Sequence, residues 1–166
     1  MSNPTKGIPV TAGNTADNTE QFNQDQADRE RFGFLVNPDL TYRRIVFDDD
    51  TARETLGGVA NEVVDVAFDQ EGNRFHAIFR PDAAELGAEP NPVASLARNT
   101  AETENPEFLT DPTRAISGPV IFTARDGASV DERTIEKVIQ AIRAVENYRT
   151  DNAEEFDLWR NAVKNR

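Results

Sequence analysis

The residues of this chain that could do chemistry are carboxylates, arginines and one histidine. The sequence has no Cys, and its single His is at position 76. Thiol nucleophiles, zinc-finger sites and iron–sulfur sites need cysteines, and a Ser-His-Asp triad would depend on His76 alone. We therefore expect no catalytic residues, no metal site and no cofactor. The composition instead favours a protein that works by binding.

Arginines and the histidine form the first candidate site. Arg43, Arg44 and Arg80 lie in predicted strands, and two converging guanidinium groups would hold a phosphate or a carboxylate. Adjacent strand residues point to opposite faces, so only one of Arg43 and Arg44 can join Arg80. His76 is either a ligand-contacting imidazole or a hydrogen-bonded strand residue, beside Asp65 if the strands pair in register. The alternative for the arginines is surface ion pairing, worth about 0–1 kcal/mol each.

Acidic side chains suggest a second candidate site. The chain has 30 Asp and Glu against 18 Lys and Arg, for a formal net charge of −12. This acidity is either a solvated surface or a negative face that docks on a basic protein or imitates DNA. Direct nucleic-acid binding is disfavoured, because it needs a basic stripe. The candidate partner interface lies in the last predicted helix and comprises Glu154, Glu155, Phe156 and Trp159.

The two aromatic residues of that interface have two interpretations. Phe156 and Trp159 are either packed in the core or exposed as interface anchors, because Trp is enriched in interaction hot spots. The C-terminal pair of helices that carries them, residues 129–166, either packs on the sheet or projects as a helical hairpin. A projecting hairpin would form a homodimer through its apolar stripe.

Hydrophobic periodicity predicts the elements that position these side chains. Alternating apolar residues predict a hairpin over residues 32–36 and 40–47, a second hairpin over 62–68 and 74–80, and a fifth strand over 116–124. We expect the fifth strand to lie at an edge or to carry a bulge, because it contains Gly118 and Pro119.

Helix signals complete the predicted order. The Asp48–Asp50 run is better explained as a helix cap than as a metal site, because it lacks the alternating ligands of a calcium loop. Short helices are predicted over 52–56 and 92–99, and longer ones from Ser129 or Asp131 to about Asn147 and after the Asp151-Asn152 cap. The resulting order predicts an α+β domain with a mostly antiparallel sheet of about five strands and helices on one face.

The first 30 residues contain few large apolar side chains. We expect residues 1–30 to form a disordered polar tail and residues 31–166 to form a single domain. The start of the chain lacks the apolar stretch of a signal peptide, and no run of about 20 apolar residues predicts a membrane span. The expected location is the cytoplasm.

Several short motifs follow one another in an order that resembles a known family. They are Leu56-Gly57-Gly58, a valine-rich strand, the Asp69–Asn73 turn, Pro90–Ala94 and Ile116–Ile121. This order resembles the domain-of-unknown-function family numbered 3846, carried by phages, plasmids and integrated elements, over about residues 40–124. The resemblance implies a mobile-element accessory protein with no established chemistry. Asn91 is the matched position that looks least like packing, and Pro92 stands where the family pattern has Arg.

These observations lead to two hypotheses about function. The first is a non-enzymatic accessory protein of a phage or mobile element that binds a host protein through its acidic surface, in counter-defence or regulation. The alternative is a small-ligand binder that holds a nucleotide or phosphate. Its ligand-binding residues would be Arg43 or Arg44, Arg80, His76 and Asn91.

Overall fold

The computed structural model describes residues 30–58, 60–69, 71, 73–104 and 111–165. The predicted tail therefore lies outside the described residues, except for Glu30. The strands are β1 (Arg31–Val36), β2 (Tyr42–Phe47), β3 (Glu62–Val66), β4 (Phe75–Phe79) and β5 (Val120–Thr123). The α-helices are α1 (Asp49–Leu56), α2 (Pro92–Thr103), α3 (Glu132–Asp151) and α4 (Ala153–Lys164). The predicted α+β class and element order are confirmed.

The five strands form one sheet in the order β2-β1-β5-β4-β3, and every neighbouring pair is antiparallel. Both predicted hairpins, β1–β2 and β3–β4, are present. The prediction for β5 is an edge position or a bulge, and the edge alternative is wrong, because β5 joins the two hairpins at the centre of the sheet. Its apolar residues, from Val120 to Phe122, are fully buried, and Gly118 precedes the strand at a φ of 82°.

Two apolar clusters cover the two faces of the sheet. On the first face, here called the helical face, Phe34, Phe79 and Phe122 pack against α2 and α3. On the opposite face, Leu35, Ile78 and Ile121 pack against the short helix α1. The expectation of helices on one face only is therefore wrong, because α1 buries a small second core.

Helix capping follows the predicted chemistry at two helices. The side chain of Asp48 accepts a hydrogen bond from the Thr51 amide and forms a capping box with Thr51, so the cap interpretation is confirmed. Asp131 caps α3 by accepting a hydrogen bond from the Thr134 amide at 2.8 Å. α3 then continues to Asp151, one turn beyond the predicted end near Asn147.

The two C-terminal helices pack inside the domain. Phe156 joins the core of the helical face, and Trp159 packs with Val163 and Ala115 in a third cluster. The apolar stripe of α4 is therefore used within the chain, which removes the basis for a homodimer through these helices. Across the described residues, no helix combines the length and the apolar character that crossing a bilayer requires.

Candidate functional site

The predicted arginine clamp does not form. Strands β1 and β5 separate β2 from β4, so Arg43 and Arg44 are three strand spacings, about 14 Å, from the strand that leads to Arg80. Arg44 also lies on the helical face, where its guanidinium contacts Glu132 at 2.6 Å. Arg43 and Arg80 are too far apart to bind one small anion together, and the prediction of a shared site is wrong.

Arg80 has a structural role instead. Its Nε donates a hydrogen bond to Asp82 at 2.6 Å, and its Nη1 donates to the backbone carbonyl of Gly57. Its side-chain stem lies against Gly58, where an added Cβ would be 2.9 Å from the Arg80 Cδ. The arginine therefore holds the loop that follows α1, and a side chain at Gly58 would have to displace it.

The register expected for His76 is confirmed, although no site forms around it. His76 pairs with Asp65 across β3 and β4, and its Nε2 lies 3.3 Å from a carboxylate oxygen of Asp65. The imidazole belongs to the same face as Ile78, opposite the side of the sheet that α2 and α3 cover. None of the other predicted ligand residues contacts it among the described interactions.

Asn91 is not presented to a ligand. It is fully buried, and its Nδ2 donates 3.0 Å hydrogen bonds to the carbonyls of Val36 and Gly118. Its Oδ1 accepts a hydrogen bond from the Ala94 amide and caps α2. The predicted ligand role is wrong because the fold uses every polar group of this side chain, which ties α2 to β1 and to the approach to β5.

The predicted partner interface on α4 is wrong for its two aromatic residues. Phe156 and Trp159 are 8% and 5% exposed and pack within the chain. Glu154 and Glu155 are exposed as expected. The apolar residue that does face solvent beside them is Leu158, which is 70% exposed.

A different group of basic residues lines one cavity on this acidic protein. The cavity has a volume of about 280 Å³ and is bordered by Arg74, Arg125, Arg133 and Lys137, with the single carboxylate of Asp131. We call it the basic cavity. Four cations and one carboxylate border this small concave site, and a cavity with convergent charged groups is a candidate binding site.

Three elements bring these residues together. The β4–β5 ladder ends where His76 pairs with Thr123, so Arg74, just before β4, and Arg125, just after β5, lie at the same end of this strand pair. Arg133 and Lys137 are four residues apart in the first turns of α3, so they lie on one side of the helix. The start of α3 therefore faces the end of the β4–β5 pair across the cavity.

Two of the four cations are held in place by the protein. Lys137 forms an ion pair with Asp69, whose carboxylate also accepts the amide hydrogen of Glu71. The hydrogen bond from Lys137 holds the pKa of the Asp69 carboxyl below its ordinary value. Arg74 donates to the carbonyl of Ala101 at 3.1 Å. These contacts fix the walls of the cavity before any ligand arrives.

The other two cations are available. Arg125 and Arg133 are exposed, and within the described residues no hydrogen bond or ion pair engages either guanidinium. Asp131 is the one carboxylate in the lining and attracts Arg133, while its side chain also accepts a hydrogen bond from the Thr134 amide. Hydrogen bonds from the Thr134 amide and hydroxyl hold the pKa of the Asp131 carboxyl below its ordinary value. Asp69 and Glu104 lie against Lys137 and Arg74, so the positive charge that remains in the cavity comes from the guanidinium groups of Arg125 and Arg133, opposite the single carboxylate of Asp131.

This arrangement can bind an anion. Guanidinium groups present parallel N–H donors that match the oxygens of phosphate or carboxylate. The lining contains no serine or histidine, and its one hydroxyl, that of the buried Thr134, hydrogen-bonds the Asp131 carboxylate that caps α3. Among the described residues, no group of three or more acidic or histidine side chains could hold a metal ion.

Sequence reasoning missed this cavity although one signal was present. The spacing of Arg133 and Lys137 is a basic pair on one helix face, visible in the sequence. Arg74 and Arg125 are 51 positions apart, and their approach depends on the pairing of β4 with β5.

Comparison with known proteins adds no relative. No family model, no curated protein and no solved structure matches this chain. The resemblance to the family numbered 3846 stays a prediction from short motifs.

Proposed function

We propose that this protein is a non-enzymatic binding protein that holds a phosphate or a phosphate ester in the basic cavity. The observation that carries the proposal is the charge of the cavity. On a chain of net charge −12, Arg74, Arg125, Arg133 and Lys137 border one cavity of about 280 Å³. Lys137 and Arg74 have carboxylate partners in Asp69 and Glu104, whereas Arg125 and Arg133 have none within 4 Å among the described residues, so a bound anion would offset the repulsion between these two guanidinium groups.

The ligand would be bound by side chains and not by the start of the helix. Asp131 already takes the Thr134 amide that would otherwise point at an anion. Lys137 and Arg74 are held by Asp69 and by the Ala101 carbonyl, so they define the inner wall. The exposed guanidinium groups of Arg125 and Arg133 would then close on the outer oxygens of the ligand.

Thermal unfolding with a panel of anions tests this proposal. A ligand that binds only the native state at a hundredfold excess over its Kd adds about 2.7 kcal/mol of stability. For a chain of this size, each 1 kcal/mol raises the midpoint by roughly 2–4 °C. We expect phosphate, pyrophosphate or a nucleotide to raise the midpoint well above the effect of chloride at equal ionic strength.

A matched control separates site binding from a general salt effect. The variant Arg125→Ala/Arg133→Ala should lose the shift. The variant Arg143→Ala, which removes an exposed arginine farther along α3 and outside the cavity, should keep it. Equal shifts in all three proteins, or no shift with any phosphate compound in the wild type, would refute the proposal.

A second candidate function is favoured by the outer face of α4. Leu158 is 70% exposed, and Glu154 and Glu155 lie one turn before it on the same side of the helix. An exposed leucine framed by carboxylates matches an apolar anchor with a charged rim. We propose that this face binds a basic protein, which would be a host protein in the mobile-element setting that the family resemblance implies.

Affinity capture at two salt concentrations tests the second candidate. A partner held mainly by the acidic rim should be lost at high salt, because charge interactions are screened. Leu158→Ala should reduce capture severalfold, and Leu86→Ala, which removes an equally exposed leucine outside α4, should not. If the amount of captured partner is the same for Leu158→Ala and at high salt, this face is not the interface.

A further inference from the structure

The two outer strands of the sheet are open to another chain. β2 and β3 are the terminal strands in the order β2-β1-β5-β4-β3. Within the described residues, each of them pairs with one neighbour only, so one edge of its backbone groups is unpaired. An open strand edge is a template for pairing with a strand of another molecule.

The two open edges carry opposite charges. β2 exposes Arg43 and Arg44, and β3 exposes Glu62 and Asp65. The charges of the two edges are also opposite on each face of the sheet. Arg44 pairs with Phe34 and Glu62 pairs with Phe79, so both side chains belong to the helical face.

On the opposite face the same complementarity recurs. Arg43 is in register with Leu35, whereas Asp65 is in register with His76, beside Ile78. Arg44 already forms an ion pair with Glu132, but both side chains are mostly exposed. Such pairs are worth about 0–1 kcal/mol, so Arg44 can leave Glu132 for a carboxylate of another molecule.

Apolar surface accompanies the charges at both edges. Phe32, Tyr42 and Val46 lie on the helical face of the β1–β2 corner and are each about half exposed, and Val63 of β3 is 52% exposed. The corner adjoins an apolar cleft of about 380 Å³ that Phe32 and Ile135 line. Exposed apolar patches of this kind mark interaction sites.

We propose that this corner docks a second copy of the same chain, with β2 of one molecule pairing with β3 of the next. Four antiparallel steps separate β2 from β3 in the sheet, so the two strands run in the same direction. A neighbour displaced along the sheet therefore adds its β3 parallel to β2 and keeps its helical face on the same side. Its α2, which packs beside β3, then covers the exposed corner.

Charge disfavours the symmetric alternatives. Pairing β2 with a second β2 would bring the exposed arginines Arg43 and Arg44 of two molecules to one seam, and pairing β3 with a second β3 would do the same for the carboxylates Glu62 and Asp65. Like charges directly opposite one another destabilise strand pairs. The favoured contact is head-to-tail, and a contact of that kind leaves one open edge at each end for further copies.

Sedimentation velocity of the full chain tests the proposal. We expect the average mass to at least double between about 10 μM and 1 mM by mass action. The effect should be lost near 1 M salt, where the Debye length is about 3 Å. A wild-type chain that stays monomeric over this range, or one that stops at a symmetric dimer, would overturn the proposal.

Charge reversal makes the test specific to the two edges. Arg43→Glu/Arg44→Glu alone, or Glu62→Arg/Asp65→Arg alone, should give monomers, and the quadruple variant should associate again. That recovery also shows that the reversed strands still fold. The control Arg143→Glu/Arg149→Glu changes net charge equally at exposed sites on α3 and should still associate. Association that survives either edge reversal, or a quadruple variant that stays monomeric, contradicts the pairing.

Discussion

Replacing Asn91 with aspartate tests whether this residue builds the fold, as the structure indicates, or contacts a ligand. Aspartate keeps an oxygen that can cap α2 through the Ala94 amide. It removes the amide hydrogens that reach the carbonyls of Val36 and Gly118 at 3.0 Å. It also places a carboxylate against two carbonyl oxygens in a site with no exposure to water.

The magnitude follows from the groups left without partners. Each buried acceptor deprived of its donor costs about 1–3 kcal/mol, so two carbonyls give a loss of about 2–6 kcal/mol before any charge penalty. Asn91→Ala loses the helix cap as well, worth about 1 kcal/mol. Both variants should therefore unfold at much lower urea concentrations than the wild type.

An exposed cap provides the control for this substitution. Asp131 caps α3 but is exposed, so Asp131→Asn should cost about 1 kcal/mol or less through the lost charge at the helix N-terminus, since Asn and Asp cap equally well. Urea unfolding measures the change in unfolding free energy for all three variants. The comparison requires that the slope of this free energy against urea concentration stays the same as in the wild type. An Asn91→Asp variant within about 1 kcal/mol of the wild type would refute the structural role.

Three further predictions concern packing and pH. Gly33→Ala would place a Cβ 2.7 Å from the Phe47 ring and should destabilise the chain by about 1–3 kcal/mol in urea unfolding; a neutral effect would contradict the close packing. Trp159→Ala should cost about 3–5 kcal/mol, because the indole is 5% exposed, whereas an unchanged midpoint would mean that the ring is an exposed anchor. The pKa of Asp69 is lower in the folded chain than its ordinary 3.8, so the unfolded chain binds more protons and stability falls as pH drops through and below that value. Lys137→Met removes the main hydrogen bond that lowers this pKa, and its unfolding midpoint should change less with pH in that range than the wild-type midpoint.

Local elements could be predicted because their signals are local. The alternation of apolar residues in β3 and β4 predicts a hairpin in which Asp65 lies beside His76 if the strands pair in register, and the structure has this pair. Capping is equally local, since Asp48 and Thr51 are three residues apart. In these cases the interacting residues share one hairpin or one helix turn.

The order of the strands could not be predicted in this way. The position of β5 between the two hairpins depends on contacts such as Phe34 with Phe122, which are far apart in sequence. That order separates Arg43 from Arg80 and buries Asn91 where α2 meets the sheet. A candidate site assembled from strand residues therefore fails when the sheet order is unknown.

Burial on the C-terminal helix was uncertain for a related reason. The spacing of Phe156 and Trp159 defines an apolar stripe, but periodicity alone does not say whether a stripe faces its own core or a partner. In the structure, Ala115 and Val163 complete the pocket for Trp159. The basic cavity likewise depends on the β4–β5 pairing, which brings Arg74 and Arg125 to one end of the sheet.

The most direct test of the central claim is calorimetric titration of the full chain with pyrophosphate at constant ionic strength. The basic cavity predicts one binding site per chain in the wild type and in Arg143→Ala. It also predicts loss of that site in Arg125→Ala/Arg133→Ala. Equal binding by the double variant, or no binding of pyrophosphate, phosphate or nucleotides by the wild type, would contradict the assignment of the cavity as the functional site.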